Sequence, residues 1–199
     1  MNTEQYLAYM NAIVQTNLED QVVPYTKAEY LEYTRLNTSR QSRWLKTQTV
    51  SEDLQSVLKE IKSPQQWLVI TEPWCGDAAH VIPFIMLAAK ENSLINLTFE
   101  LRDSAPFSIE KYLTNGSKSI PKLIIRDEHG NDLATWGPRP AGCQAVYNEL
   151  KERNAGFEEV LTAVQNWYNS NKGQEIQEEL TKLLNEVMVR VKAVELNLV

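Results

Sequence analysis

The feature that most restricts the fold is a short, continuous apolar run at residues 67–71, with the sequence WLVIT. A run of this length without polar alternation is typical of a strand buried on both faces, as in a parallel sheet. It is followed by a turn at residues 73–77 and by a helical segment at residues 78–92 that contains Pro83. The chain is therefore expected to build an α/β domain around this strand.

The segments after this run continue the alternation of strands and helices. Residues 97–101 are predicted to form a strand and residues 106–113 a short helix. A hairpin turn joins the strands predicted at 122–126 and 132–136, and a helix is predicted at 141–153. The order β-α-β-α-β-β-α predicts an α/β sandwich with a mixed central sheet flanked by helices.

Helices are predicted on both sides of this central unit. Thr26 and Glu29 have the spacing of a capping box, and Ser51 is placed to begin a further helix. Two more helices are predicted at residues 156–170 and 174–195. The resulting division is an N-terminal helical extension at 1–50, a central domain at 51–153 and a C-terminal helical extension at 154–199.

The charge balance excludes one class of partner. Twenty Lys and Arg against 26 Asp and Glu give a net charge of −6, which argues against binding nucleic acid through general positive charge. Residues 27–46 carry a local excess of three positive charges, for which a solvated helix face is favoured over an anion-binding patch. Without a basic start or a long apolar run, the sequence predicts a cytoplasmic protein with no membrane segment.

The two cysteines are the scarce chemical resource. Two cysteines are too few for a disulfide scaffold or a four-cysteine zinc site, and two histidines leave little material for any other metal site. We therefore expect no metal and no cofactor. Cys75 begins a helix, where unpaired N–H groups and a partial positive charge stabilise a thiolate. Asp77 acts against this because a nearby carboxylate disfavours a second negative charge. A functional thiol is favoured over an inert core residue.

Residues 74–78 (WCGDA), with Pro83 eight positions after Cys75, resemble the active-site segment of the thioredoxin family. The family pattern is W-C-G-x-C with a kinking proline at that offset, and the variant with Asp in third place is familiar among bacterial members. Ile120-Pro121 resembles the family's cis-proline, which lies opposite the active-site cysteine. Gly137 falls where the family has a glycine beside the same groove. The resemblance covers about residues 51–153 and implies a thioredoxin-like fold.

Two positions depart from the family pattern. Ala78 replaces the second motif cysteine, and Val69 stands where the family has a buried acid. Glu72 is a candidate substitute base, although an exposed charge at the strand end is favoured. In the resembled fold, the loop before Cys143 returns toward Cys75, so Cys143 is a candidate resolving thiol. A buried, packing Cys143 is the favoured alternative.

The resemblance implies a recognition groove around Cys75, in which an extended peptide pairs its backbone beside Pro121. Arg139 and His80 are placed to bring positive charge near it, although a packing or solvent-facing role is favoured for His80. The residues assigned to substrate binding are Trp74, Gly76, Asp77, Ile120, Pro121, Trp136 and Gly137.

Three functional hypotheses follow. In the first, a thiol-disulfide oxidoreductase or thiol transferase, Cys75 attacks the disulfide of a protein or low-molecular-weight substrate, and Cys143 or another thiol resolves the product. The second is a non-catalytic protein- or peptide-binding module, which Ala78 and Val69 favour. The third is an oxidation sensor in which Cys75 and Cys143 form a bond only under oxidation.

Overall fold

Four strands form one mixed sheet in the computed structural model, which describes residues 1–197 and their side chains through residue 191. The strands are β1 (Gln65–Thr71), β2 (Ile95–Leu101), β3 (Lys122–Arg126) and β4 (Asp132–Trp136), in the order β2-β1-β3-β4. β1 runs parallel to β2 and antiparallel to β3, and β4 is antiparallel to β3.

The predicted apolar run forms the middle of the sheet. Val69 pairs with Phe99 on one side and with Leu123 on the other. All three side chains are buried, as expected of a strand with neighbours on both sides and helices over the sheet. The prediction of a mixed α/β sheet flanked by helices is confirmed.

Seven helices surround the sheet within the described residues. They are α1 (Thr3–Gln15), α2 (Ala28–Thr47), α3 (Glu52–Lys59), α4 (Gly76–Lys90), α5 (Ala141–Glu152), α6 (Phe157–Asn171) and α7 (Gln174–Asn197). Short 3-10 turns lie at Leu18–Asp20 and Ser108–Lys111, the second in place of the short helix predicted at 106–113. None of the described helices has the length and apolarity needed to cross a membrane.

The helix starts follow the capping expectations in one case and not in the other. The Ser51 hydroxyl accepts a hydrogen bond from the Leu54 N–H at 3.4 Å, so this residue caps α3 as predicted. The capping box at Thr26 is wrong. α2 begins at Ala28 after Lys27, without a side-chain cap.

Helices from both ends of the chain share the main core with the sheet. Tyr6 of α1 stacks on Phe99 of β2 with ring centroids 4.5 Å apart. Trp44 of α2, Tyr168 of α6 and Leu184 of α7 belong to the same buried cluster. The division at residues 50 and 154 stays a prediction, but the terminal helices complete the core that supports the central strands.

Candidate thiol site and groove

Cys75 lies at the N-terminus of α4, where the chain turns from β1 into the helix. Its N–H donates to the Glu72 carbonyl at 3.0 Å, and the buried Asn37 amide donates to the Pro73 carbonyl at 3.0 Å. The side chain is 7% exposed. Its Sγ donates to the Ile120 carbonyl oxygen at 3.4 Å. The thiol is therefore in contact with the residue before Pro121.

The segment opposite the thiol depends on two unusual backbone positions. The Ile120–Pro121 peptide bond is cis, as the resemblance implies. Gly137, which follows β4, has a φ of 111°, and a Cβ at this position would lie 2.3 Å from the Pro121 carbonyl oxygen. Because real side chains do not tolerate that approach, this close packing requires glycine.

An ion pair joins the start of α4 to the loop after β4. The Arg139 guanidinium donates to both Asp77 carboxylate oxygens, at 2.8 and 2.7 Å. The Tyr168 hydroxyl donates to the same carboxylate at 3.0 Å. Burial raises the pKa of Asp77, while Arg139 and Tyr168 oppose that rise. These donors therefore compensate the charge of the Asp77 carboxylate, which lies two residues after Cys75 in the sequence.

A groove of about 1550 Å³ opens over the thiol. Trp74 forms part of its wall, with its ring against the edge of Tyr30 and below the Arg102 guanidinium. Trp136 is held by its indole N–H, which donates to Glu179 of α7 at 2.6 Å. The predicted site residues that line the groove are Trp74, Cys75, Gly76, Asp77, Ile120, Trp136 and Gly137.

A family model described as thioredoxin matches residues 24–151, which is more than half of the chain. The chain belongs to the thioredoxin family. A search of curated proteins returned no match. Among solved structures, a Pseudomonas aeruginosa protein of unknown function aligns with 14% identity and a TM-score of 0.47 over 89% of both chains. An HIV epitope-scaffold aligns with 15% identity and a TM-score of 0.46 over 97% of this chain and 99% of the other.

The thiol of this thioredoxin-family protein is protonated at neutral pH. Burial and, after it, the Asp77 carboxylate raise the pKa of Cys75 to about 12. The Ala78 N–H and the Arg139 guanidinium act in the opposite direction and are outweighed. The helix N-terminus therefore does stabilise the thiolate, as expected from the sequence, but the rise in pKa caused by burial is larger.

Cys143 is not brought to the groove. It lies in the first turn of α5 with no solvent exposure, and it does not contribute to the groove wall. Burial and then Asp77 raise the pKa of Cys143 to about 12, while the Tyr168 hydroxyl opposes the rise. Both cysteines are free thiols. In this conformation, Cys143 has the surroundings of a packing residue.

His80 is buried and neutral. The Trp44 indole N–H donates to its Nδ1 at 3.0 Å, so the proton is on Nε2, which faces the Gln165 carbonyl oxygen at 3.0 Å. Tyr168 stacks on the imidazole with ring centroids 4.4 Å apart. Burial lowers the pKa of His80 to about 4. His80 supplies no positive charge to the site, and its packing role is the correct alternative.

The expectation of an exposed charge at Glu72 is wrong. Its side chain is 4% exposed, and its carboxylate accepts a hydrogen bond from the Asp103 N–H at 3.0 Å. Burial raises the pKa of Glu72. The carboxylate links the end of β1 to the loop after β2, which is a structural contact that strand-end position alone does not reveal.

Several residues that complete the site come from outside the segment that resembles the family. Tyr168 and Gln165 of α6 contact Asp77 and His80, and Glu179 of α7 contacts Trp136. Each is an ordinary residue of an amphipathic helix, without a motif to single it out. Among the described residues, no cluster of three or more His, Cys, Asp or Glu side chains has the arrangement of a metal site.

Proposed function

We propose that this protein binds an extended polypeptide segment in the groove beside Pro121, without exchanging its thiol in the resting form. Ile120 carries the proposal. Its carbonyl oxygen accepts a hydrogen bond from the Cys75 thiol. Its N–H lies in the wall of the groove and donates to none of the described residues. A peptide strand laid along this edge would supply the missing acceptor through its own carbonyl.

The size and lining of the groove support a polypeptide ligand. Small-molecule sites usually enclose about 300–1,000 Å³, and this groove measures about 1550 Å³. Trp74, Trp136 and Tyr147 present aromatic surface to it, and such side chains are enriched where proteins bind each other. These features favour an elongated occupant with several side chains.

The state of Cys75 supports binding over exchange. The thiolate is the nucleophile in disulfide exchange, and a pKa of about 12 leaves almost none of it at neutral pH. Ala78 offers no second motif thiol, and Cys143 is buried away from the groove wall. The thiol therefore acts as a hydrogen-bond donor that orders the Ile120 carbonyl.

Peptides selected from a random display library on the full-length protein provide the test. On titration into nitrogen-15-labelled protein, a selected peptide is expected to shift the Ile120 amide resonance and to slow its exchange with solvent. Trp74→Ala should weaken binding by about 30-fold, as for an aromatic anchor. Cys75→Ser keeps a hydrogen-bond donor to the Ile120 carbonyl, and Leu113→Ala changes an exposed apolar position outside the groove, so both should change affinity less than about twofold. Failure to select any peptide, or shifts confined to another surface, would contradict the proposal.

A single-thiol oxidoreductase or thiol transferase is the second candidate. The observation that favours it is the position of Cys75, which lines the groove at a helix start where the Ala78 and Asp77 backbone N–H groups act to lower the pKa of its thiol. The Cys75 thiolate would attack a disulfide of a protein or low-molecular-weight substrate, form a mixed disulfide and release the other sulfur as a thiolate. A second thiolate would then attack the substrate sulfur and release Cys75, whereas attack by Cys143 on Cys75 would leave an internal disulfide.

Alkylation kinetics separate the two candidates. In Cys143→Ser protein, the rate at which iodoacetamide modifies Cys75 is measured against pH and compared with a cysteine peptide. Modification slower than the peptide at pH 7, rising toward an apparent pKa well above the peptide's, supports the binding module. Modification faster than the peptide at pH 7 supports the oxidoreductase, and mixed disulfides trapped on Cys75 would identify its substrates.

A further inference from the structure

One face of α2 lines the groove. Tyr33, Leu36 and Arg40 follow one another at intervals of three and four residues, which places them along one side of the helix. All three contribute to the groove wall, and so do Phe157 and Leu161 of α6. Leu36 is 47% exposed and Phe157 63% exposed. The groove wall therefore combines apolar side chains of α2 and α6 with a guanidinium.

Arg40 differs from the other arginines of the groove because no carboxylate pairs with it. Its one hydrogen bond to a described side chain is from Nη1 to the Asn37 amide oxygen at 3.1 Å. No described Asp or Glu oxygen lies within 4 Å of its nitrogens. By contrast, Arg102 pairs with Asp103 and Arg139 pairs with Asp77.

The lysines of the groove differ from Arg40 as well. Lys118 pairs with Glu110 at 2.9 Å. Lys151 has no carboxylate partner among the described residues, but it is an exposed side chain in the last turn of α5. Arg40 is half-buried. Its charge is therefore partly removed from water without compensation, which is costly unless a ligand supplies an anion.

The surroundings of Arg40 reinforce this need. Burial and, after it, the Arg43 guanidinium lower the pKa of Arg40. The charges of Arg40 and Arg43 both help to lower the pKa of His80. This imidazole is neutral and adds no negative charge that would compensate Arg40. A guanidinium accepts a carboxylate through two parallel N–H donors, which is the strongest pairing available to this side chain.

We propose that Arg40 recognises the carboxylate of an Asp or Glu in the bound polypeptide, and that Tyr33, Leu36 and Phe157 contact apolar residues beside it. The inference rests on the proposed function and adds the chemistry of the partner, an acidic residue within an apolar stretch. From sequence, a solvated helix face is favoured for the positive excess at residues 27–46. In this proposal, Arg40 is instead part of a binding surface.

The test compares peptide selection on three full-length proteins. A random display library is selected in parallel on the wild type, on Arg40→Gln and on Arg35→Gln. Arg35 is an exposed residue of the same helix that pairs with Glu32 and lies outside the groove wall, so it controls for the loss of one charge. The wild type and Arg35→Gln should enrich peptides with an acidic residue next to apolar ones, and Arg40→Gln should lose the acidic preference.

A binding cycle gives the magnitude. Replacing the acidic residue of one selected peptide by its amide should weaken binding to the wild type by about 10- to 100-fold, the range of hydrogen bonds to charged groups. The same replacement should have little effect on Arg40→Gln, and Arg40→Lys should lie between. Selected peptides without acidic preference, or an equal loss on Arg40→Gln, would overturn this inference and leave the proposed function standing. Selection of no peptide on the wild type would overturn the proposed function itself.

Discussion

Arg139 donates to both oxygens of the Asp77 carboxylate, from Nε at 2.8 Å and from Nη2 at 2.7 Å. The side chains are only 18% and 10% exposed. The pair connects the loop after β4 to the helix that carries Cys75. Because opposite charges of one buried pair act on the same thiol, removing either should change the thiol pKa, in opposite directions.

Asp77→Asn should make Cys75 more reactive. The carboxylate is the second-largest cause of the raised pKa of Cys75, after burial. Its removal should lower this pKa and raise the rate of iodoacetamide modification at pH 8 by about tenfold, the equivalent of one pKa unit. Arg139→Gln should lower the rate because the guanidinium stabilises the thiolate. The measurements use Cys143→Ser protein.

The control for this pair is Asp53→Asn, which neutralises an exposed aspartate on α3 outside the groove wall. It should leave the alkylation rate within about twofold of its parent. A rate change of the same sign in Asp77→Asn and Arg139→Gln would show that both act by loosening the structure rather than through charge.

His80 should make the protein sensitive to mild acid. The pKa of His80 is about 4 in the folded protein and 6.5 for an unperturbed histidine, so between these pH values the unfolded chain binds a proton that the folded chain does not. Stability is therefore present above pH 6.5 and lost as the pH falls toward 4. The shift corresponds to about 3 kcal/mol in the free energy of unfolding. Urea unfolding at pH 7 and near pH 4 measures it.

The two histidines of the chain provide a matched comparison. His80→Phe should remove about 3 kcal/mol of the acid sensitivity, even though it also lowers stability at pH 7 by removing the hydrogen bonds of Trp44 and Gln165. His129 lies exposed in the hairpin between β3 and β4, and His129→Gln should leave the pH dependence unchanged. An equal pH dependence in His80→Phe and the wild type would exclude this origin.

The sheet could be predicted from sequence because its signals are local. The apolar run at 67–71 and the strands at 122–126 and 132–136 agree with the structure, apart from two residues at the start of β1. Those two, Gln65 and Gln66, are polar and carry no strand signal. They pair with β2 because the parallel neighbour continues past the apolar segment.

The charge state of the site could not be predicted in the same way. The position of Cys75 at a helix start indicates a stabilised thiolate, and that local effect is present. Burial reverses the outcome, and the packing around the site includes residues that are distant in sequence. Tyr168, 91 residues after Asp77, shows this, because its contact with that carboxylate follows from the docking of α6 rather than from a motif.

Gly137→Ala should disrupt the segment around Pro121. A methyl group would lie 2.3 Å from the Pro121 carbonyl oxygen, and the φ of 111° is strained for alanine. We expect the free energy of unfolding to fall by about 2–4 kcal/mol. Gly156→Ala is the control, because a Cβ there meets no atom within 4 Å and φ is −64°. Similar losses in the two variants would contradict this account.

Glu179→Gln should weaken the hydrogen bond that holds Trp136 in the groove wall. Its carboxylate accepts from the Trp136 indole N–H at 2.6 Å and from the Ala141 N–H at the start of α5 at 2.7 Å. A negative charge at a helix N-terminus is favourable, so its loss should lower the free energy of unfolding by about 1–2 kcal/mol. The Trp136 indole resonance should shift by NMR. Glu178→Gln, an exposed neighbour on α7 that contacts Gln174 instead, should do neither. An unchanged Trp136 resonance in Glu179→Gln would mean that α7 does not position this side of the groove.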